Sequence, residues 1–297
     1  MNKWRSVEIN VCFGDFVTNF RVENIFHKLK LTFTIFLYFT SSISFCQFKK
    51  TILFAKISIR SSVYMRIFGK GFNFGQDGPG NRLVYHLSGC NMRCIWCSNP
   101  DGMEMSAGNE VSCQDVIKEI LSSRMMFFSG GGVTFTGGEA TLQADELITV
   151  LKAVKESGIH TCIETNGTSE RLNEILEYVD YLIMDFKHFD SERLQEFTGV
   201  GNQTICKNFE ENCNKGRQQH IRIPLINGIN AYSPEEYAGY FSKFDTKNTV
   251  FEFLSYHEYG KEKWKGEYKV KNGFITNEIL KEFKDTFDRF GLKVVTT

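Results

Sequence analysis

The chain reads GCNMRCIWC from Gly89 to Cys97, placing three cysteines in C-x3-C-x2-C spacing directly after an apolar run. Three thiolates on one loop can point at one centre, and cysteine ligation is the rule for iron-sulfur clusters. A [4Fe-4S] cluster with only three protein ligands leaves one iron open, where a substrate can coordinate. The alternative is structural zinc, which would need a fourth ligand such as Cys113 or a histidine in a closed tetrahedral site. The chain has no second C-x2-C pair.

Strand-like and helix-like segments alternate from Met65 onward. Six strands that alternate with helices imply a parallel sheet, either doubly wound or curled into a full or partial barrel. The apolar β-rich runs predict strands at Arg82–Leu87, Val133–Thr136, His160–Glu164, Tyr181–Lys187, His220–Ile226 and Thr249–Ser255. Caps and apolar periodicity predict helices after Ser112, over Ala144–Ser157 and near Ser169–Tyr178, Gln203–Lys215, Pro234–Phe244 and Asn277–Phe290.

Polar residues follow five of the six predicted strands. The cysteine run follows the first, and the others end in TGGE at 136–139, ETNG at 164–167, DFKH at 185–188 and SYH at 255–257. In parallel α/β folds the carboxyl ends of the strands hold the chemistry. The sequence therefore predicts one site at this edge of the sheet.

The cysteine spacing resembles the signature of the radical S-adenosylmethionine enzymes. Five further blocks resemble, in order and spacing, the pyruvate formate-lyase activating enzymes, across nearly all of residues 65–297 and none of 1–64. The resemblance implies a (β/α)6 partial TIM barrel with an open mouth. The blocks are DGPG at 77–80, GGGVTFTGGEATLQ at 130–143, IHTCIETNG at 159–167, MDFKH at 184–188 and FLSYHEYGKEKW at 253–264.

The same resemblance implies two cofactors and two partners. One [4Fe-4S] cluster on Cys90, Cys94 and Cys97 is reduced by flavodoxin or ferredoxin and passes its electron to S-adenosylmethionine. The resulting 5′-deoxyadenosyl radical takes a hydrogen atom from a glycine of a partner glycyl radical enzyme. An alternative keeps this cofactor chemistry but acts on a small molecule, as deazapurine synthases do. A non-enzymatic alternative is a zinc-stabilised interaction module.

Residue roles also come from the resemblance. Glu164, Thr165 and Asp185 match a monovalent-cation site, although Glu164 stands where the family often has Asp, which puts that site in doubt. Arg222 is a candidate contact for an anionic group. From the residues alone, Asp185 and Lys187 could equally form a salt bridge, and the Gly-Gly pair could be only a tight turn. The positions matched to S-adenosylmethionine binding are Trp96, Cys97, Ser98, Gly137, Gly138, Glu139, Asp185, Phe186, Lys187 and His257.

One departure concerns the subgroup. The chain has WCSNP at 96–100, as many activators of other glycyl radical enzymes do, but lacks the cysteine-rich insert that follows it there. We therefore expect no auxiliary cluster and leave the target enzyme open. Four dispersed cysteines are predicted to be small core residues. They are Cys113, Cys162, Cys206 and Cys213.

Composition divides the 297 residues into two unlike parts. Residues 1–64 carry nine Lys/Arg and three Asp/Glu, net +6, which leaves 26 against 32, net −6, for residues 65–297. We interpret 1–64 as an extension outside the functional domain, such as read-through upstream of a start at Met65. The alternatives are a membrane anchor over the uncharged run 31–48 and an ordered extra element. Clustered cysteines favour a reducing cytoplasm. The zero net charge of the whole chain argues for neither a nucleic-acid nor a membrane partner.

Overall fold

A computed structural model describes residues 5–13, 16–24 and 63–296. Contacts divide the chain into two units between Ser62 and Val63. In the first unit, strand β1 (Arg5–Phe13) pairs antiparallel with β2 (Phe16–Asn24). The uncharged run 31–48 lies outside the described residues.

The second unit is built on a sheet of eight strands, in the order β10-β9-β8-β7-β6-β4-β3-β5. Strands β4 and β6 to β10 are parallel, and β3 is antiparallel to both of its neighbours. The two edge strands, β5 and β10, do not pair, so the sheet stays open and the predicted partial barrel is confirmed. Its strands are β3 (Tyr64–Phe74), β4 (Asn81–Leu87), β5 (Asn109–Ser112), β6 (Gly132–Gly137), β7 (His160–Thr165), β8 (Tyr181–Asp185), β9 (Gln219–Leu225) and β10 (Thr249–Ser255).

All helices of residues 63–296 except the last lie between the parallel strands along the chain, as a βα repeat requires, and the last follows β10. Ser112 caps the first of them as predicted, because its hydroxyl accepts the Asp115 N–H at 3.1 Å. The helices are α1 (Cys113–Ser122), α2 (Ala144–Glu156), α3 (Leu172–Ile175), α4 (Ser191–Thr198), α5 (Gln203–Asn214), α6 (Pro234–Phe241) and α7 (Asn277–Arg289).

Two helical segments differ from the prediction. The helix expected near Ser169–Tyr178 shrinks to one α-turn and a 3-10 turn, because the Thr161 hydroxyl donates to the Tyr178 carbonyl at 2.8 Å and draws the chain into β8. Helix α4 was not predicted, although both of its ends are visible in the sequence. Asp190 caps its N-terminus, and Gly199 ends it at φ 81°.

The sequence pattern also does not predict β3, the strand that precedes β4 in the chain. Strand β3 contains two glycines, Gly69 and Gly71, and its pairing with β4 shifts register between Ile67 and Gly69. Glycine and charge dilute the β-pattern of this segment, so only pairing with β4 and β5 makes it a strand.

Aromatic side chains hold the far end of the barrel together. Phe251 in β10 packs against Phe241 of α6 and Phe287 of α7, with ring centroids 4.8 and 5.3 Å apart, and all three are fully buried. This core fixes β10 beside β9, so the carboxyl end of the last strand joins those of the others. Within the described part of the chain, no helix is long and apolar enough to cross a bilayer.

Candidate active site

A cavity of about 250 Å³ opens at the carboxyl ends of the parallel strands. It brings together the cysteine run after β4 and the polar ends of β6, β7, β8 and β10, so the predicted single site is where these segments meet. Its walls are formed by Cys90, Met92, Cys94, Trp96, Cys97, Ser98, Asn99, Thr136, Gly137, Gly138, Glu139, Glu164, Thr165, Asn166, Asp185, Lys187, Pro224, Ile226, Leu254, Ser255, Tyr256 and His257.

The cysteine loop is fastened through its backbone. The Cys90 N–H donates to the Met103 carbonyl at 2.9 Å, and the Arg93 N–H donates to the Thr198 carbonyl at 2.7 Å. The loop is therefore held on one side by the segment that follows it and on the other by the end of α4. No local pattern in the sequence indicates this second support.

The three thiols fit an iron-sulfur cluster. Cys90 and Cys97 each accept a backbone N–H at 3.4 Å, from Met92 and Asn99 respectively, as thiolate ligands do. Burial raises the pKa of all three thiols, and that of Cys94 to about 12. Thiolates in this loop therefore need positive charge beside them, which cluster iron supplies.

A single zinc ion is less well provided for. The buried Cys113 thiol, the suggested fourth ligand, lies in α1 and contacts the Glu146 carbonyl at 3.9 Å, outside the cavity. Among residues 63–296, no three His, Cys, Asp or Glu side chains are grouped as ligands of one metal ion. Cys162 and Cys213 are likewise buried, and Cys206 is half-buried against the core.

The two glycines after β6 are required by the neighbouring strand end. The Gly138 N–H donates to the Leu87 carbonyl and the Glu139 N–H to the Gly89 carbonyl, at 2.9 and 2.7 Å. A Cβ on Gly138 would lie 2.7 Å from the Gly89 carbonyl carbon, and Gly137 has φ 124°. Side chains at Gly137 and Gly138 would push the cysteine loop away. The packing of the loop therefore requires glycine here, in addition to any requirement from the close approach of a ligand.

Glu139 joins three segments at the bottom of the cavity. Its carboxylate accepts hydrogen bonds from the Thr165 hydroxyl at 2.7 Å, the Asn166 N–H at 2.7 Å and the Thr141 N–H at 3.0 Å. Because these bonds use both oxygens and the residue is 2% exposed, Glu139 is a rigid tie between β6 and β7.

Asp185 and Lys187 do form an ion pair, with Nζ and Oδ2 2.6 Å apart. Burial lowers the pKa of Lys187, but the charges of Asp185 and Cys94 outweigh it and raise the pKa above its usual value. The ammonium therefore stays charged beside the cysteine loop and contributes positive potential there.

Each residue of the suggested cation site contacts protein groups. Glu164 accepts the Thr136 hydroxyl at 2.7 Å and is ion-paired with Arg222. The Thr165 hydroxyl donates a hydrogen bond to Glu139, and Asp185 is ion-paired with Lys187. Burial and Asp77 raise the pKa of Glu164 against the pull of Arg222. As arranged, these residues do not fit a monovalent cation, because both carboxylates already have a cationic side chain.

The remaining predicted contacts divide in two groups. Trp96, Ser98 and His257 line the cavity. Phe186 does not: its ring is 1% exposed and packs against Phe241, with centroids 4.8 Å apart. The prediction of a Phe186 side-chain contact is corrected, because successive residues of β8 alternate in direction and Phe186 continues toward the core.

Sequence reasoning missed a clamp over the cysteine loop. The Trp264 indole N–H donates to the Cys97 carbonyl at 3.0 Å, and Lys263 Nζ lies 3.1 Å from Asn99 Oδ1. This clamp comes from the HEYGKEKW block, in which the family resemblance assigns a role to His257 alone. Five lysines within 261–271 were the signal that could have drawn attention to it.

A family model described as the radical SAM superfamily matches residues 84–240. Pyruvate formate-lyase 1-activating enzyme of Escherichia coli K12 is 35% identical over 229 residues, which cover 74% of this chain and 93% of that enzyme. The chain belongs to the radical SAM superfamily, in the family of the pyruvate formate-lyase activating enzymes. The predicted family and its cofactor pair, a [4Fe-4S] cluster and S-adenosylmethionine, are confirmed.

Other relatives agree. The pyruvate formate-lyase-activating enzyme of Staphylococcus epidermidis is 33% identical over 211 residues, covering 66% of this chain and 84% of that enzyme. Streptococcus suis SuiB, solved with S-adenosylmethionine bound, has a TM-score of 0.55 at 19% identity, covering 72% of this chain and 49% of its own. That likeness shows a shared fold.

We expect Gly138→Ala to lose most of its iron on anaerobic reconstitution, because the added methyl group displaces the Gly89 end of the cysteine loop. Overpacking of this kind costs about 1–3 kcal/mol. Iron and sulfide per chain are the measurement. Gly239→Ala, in α6 with open space around it, is the matched control and should bind iron normally. Equal iron in both variants would show that the close approach is dispensable.

Proposed function

We propose that this chain activates a glycyl radical enzyme, with S-adenosylmethionine as the source of the radical. The observation that carries the proposal is the single cavity in which three cysteines meet the glycine-rich end of β6 and the Asp185–Lys187 pair. One hydrogen atom moves from the glycine Cα of the partner to the 5′ carbon of the nucleoside, which leaves the radical on the partner. The protein substrate follows from the family to which the chain belongs.

Cys90, Cys94 and Cys97 would hold the [4Fe-4S] cluster. When reduced, it supplies the electron that cleaves S-adenosylmethionine to methionine and the 5′-deoxyadenosyl radical. The chain itself contributes geometry and charge: the fastened loop fixes the thiols, and half-buried Lys187 places a positive charge near Cys94.

Residues at the other strand ends are suited to bind S-adenosylmethionine. We assign this role to Trp96, Ser98, Gly137, Gly138 and the Asp185–Lys187 pair, all at the cavity wall. His257 belongs with them, and partial desolvation lowers the pKa of its ring below the usual value. Its Nδ1 accepts the Tyr259 N–H at 3.4 Å, which leaves Nε2–H as a donor.

The structure supports no step through a monovalent cation. We propose that Arg222 provides the positive charge that such an ion would bring, because it pairs with Glu164 and also contacts Glu252 at 3.0 Å. The longer side chain of glutamate lets Glu164 reach this guanidinium.

The electron donor is proposed to be an acidic flavodoxin or ferredoxin. Residues 261–271 contain five lysines and two glutamates, net +3, and lie against the cysteine loop through Lys263 and Trp264. Complementary charge steers association of this kind. We further propose that residues 65–297 form the catalytic domain, that residues 1–64 lie outside it, and that the reaction takes place in the cytoplasm.

We expect Cys94→Ala to abolish S-adenosylmethionine cleavage while the barrel stays folded, because one cluster ligand is lost. The measurement is 5′-deoxyadenosine formed after anaerobic reconstitution and dithionite reduction, with circular dichroism for the fold. Cys113→Ala removes a buried thiol outside the cavity and should retain cleavage. Full activity of Cys94→Ala would contradict the three-ligand assignment.

We expect Lys265→Glu with Lys269→Glu to slow cluster reduction by a reduced acidic donor protein, because both exposed lysines belong to the positive segment. At low salt the rate should fall about tenfold or more, and high salt should narrow the difference. Reduction by dithionite and the Lys152→Glu control, on the exposed face of α2, should be unaffected. A uniform loss with both reductants would instead indicate damage to the cysteine loop.

We expect S-adenosylmethionine affinity to be the same, within about twofold, in potassium and tetramethylammonium salts of equal ionic strength. Equilibrium binding to the reconstituted protein is the measurement. Glu164→Asp withdraws the carboxylate from Arg222 and should make affinity depend on potassium. A strong potassium requirement of the unaltered chain would restore the cation site.

A further inference from the structure

Asn166 stands between the end of β7 and the cysteine loop, and none of the roles above involves its side chain. It is 5% exposed and lines the cavity. Its backbone N–H donates to Glu139, so the main chain is anchored independently of the amide. A change of the side chain therefore leaves that anchor in place.

The orientation of the amide is set by a closed ring of three hydrogen bonds. Asn91 Nδ2 donates to Thr168 Oγ1 at 2.8 Å, and Thr168 Oγ1 donates to Asn166 Oδ1 at 2.6 Å. Asn166 Nδ2 completes the ring by donating to Asn91 Oδ1 at 3.0 Å. The Thr168 N–H also donates to Asn166 Oδ1, at 3.1 Å, so reversing the amide would lose both donors to Oδ1 and the Asn91 acceptor of Nδ2.

The same nitrogen faces a cysteine. Asn166 Nδ2 lies 4.0 Å from Cys90 Sγ, within hydrogen-bond range of sulfur, and its second hydrogen is free for that contact because the ring uses only one. The contact is long for a hydrogen bond, so its effect on the cysteine sulfur is modest. The cysteine loop holds Cys90 in place and the ring of hydrogen bonds holds the Asn166 amide in place.

The three cysteine sulfurs differ in their hydrogen-bond partners. Cys90 has a backbone donor and the Asn166 amide, Cys97 has the Asn99 backbone donor, and Cys94 has the Met92 sulfur at 4.0 Å. Among the hydrogen bonds of residues 63–296, Cys90 thus has a side-chain N–H donor that the other two lack. Hydrogen bonds to ligand sulfurs help to set the reduction potential of an iron-sulfur cluster.

We propose that Asn166 is a positioning residue that raises the reduction potential of the cluster by directing an amide N–H at Cys90. Reduction adds an electron, hence negative charge, and an N–H dipole aimed at the sulfur stabilises the reduced form more than the oxidised one. The inference rests on the proposed function in that the cluster is held by the three cysteines.

The test is a potentiometric titration of the reconstituted full chain without S-adenosylmethionine, followed by electron paramagnetic resonance of the reduced cluster. We expect Asn166→Ala to lower the midpoint potential of the cluster. At the midpoint potential of the unaltered chain, the ratio of reduced to oxidised cluster should fall about threefold to tenfold, where tenfold corresponds to about 59 mV. Asn166→Asp puts an anionic oxygen where the donor was and should lower the potential further.

Two matched variants separate tuning from support of the loop. Asn248→Ala removes an amide of equal size outside the cavity, where Asn248 Nδ2 donates to the Gly216 carbonyl at 2.8 Å, so the potential should not move. Thr168→Val opens the ring, frees the amide to rotate and should lower the potential less than Asn166→Ala does.

The outcomes distinguish this inference from the proposed function. A chain that binds no cluster or cleaves no S-adenosylmethionine would contradict the function itself. If the cluster forms and cleavage proceeds but the potential is unchanged in Asn166→Asp and Thr168→Val, the tuning role is overturned and the function stands. Should Asn166→Ala lose its iron, those two variants decide the question.

Discussion

The contact between the ends of β4 and β6 is the constraint on which the site depends. Gly138 lies so close to Gly89 that no side chain fits between them, and two backbone hydrogen bonds join the strands there. The cysteine loop begins at this junction and the glycine-rich turn ends in Glu139. One close approach therefore places the metal-binding loop beside the proposed cofactor-binding turn, and Glu139 transmits the same geometry to β7.

Charge balance is the second organising feature of the cavity. Isolated buried charges are strongly unfavourable, so each must be neutralised by a near partner. Asp185 is paired with Lys187, and Arg222 is shared between Glu164 and Glu252. The ammonium of Lys187 therefore lies near the thiols, and the guanidinium of Arg222 lies beside Glu164 of the suggested cation site.

Supports from outside the barrel strands complete the loop. Carbonyls at the end of α4 accept N–H groups of the cysteine loop, and Trp264 and Lys263 hold its far side. The clamp joins segments that lie more than a hundred residues apart in the chain. These contacts explain why α4 and the lysine-rich segment matter to a site whose named residues lie elsewhere.

Local periodicity, caps and motif spacing predict the six parallel strands, most helix boundaries and the residues at the strand ends. They do not predict β3, whose glycines weaken the local pattern, and they misplace Phe186, whose direction depends on where β8 stops. The pairing of Glu164 with Arg222, the approach of Asn166 to Cys90 and the Trp264 clamp are set by three-dimensional packing. Those contacts join distant segments of the chain. The length and direction of each side chain in three dimensions determine which partner it reaches, and no local sequence pattern encodes that direction.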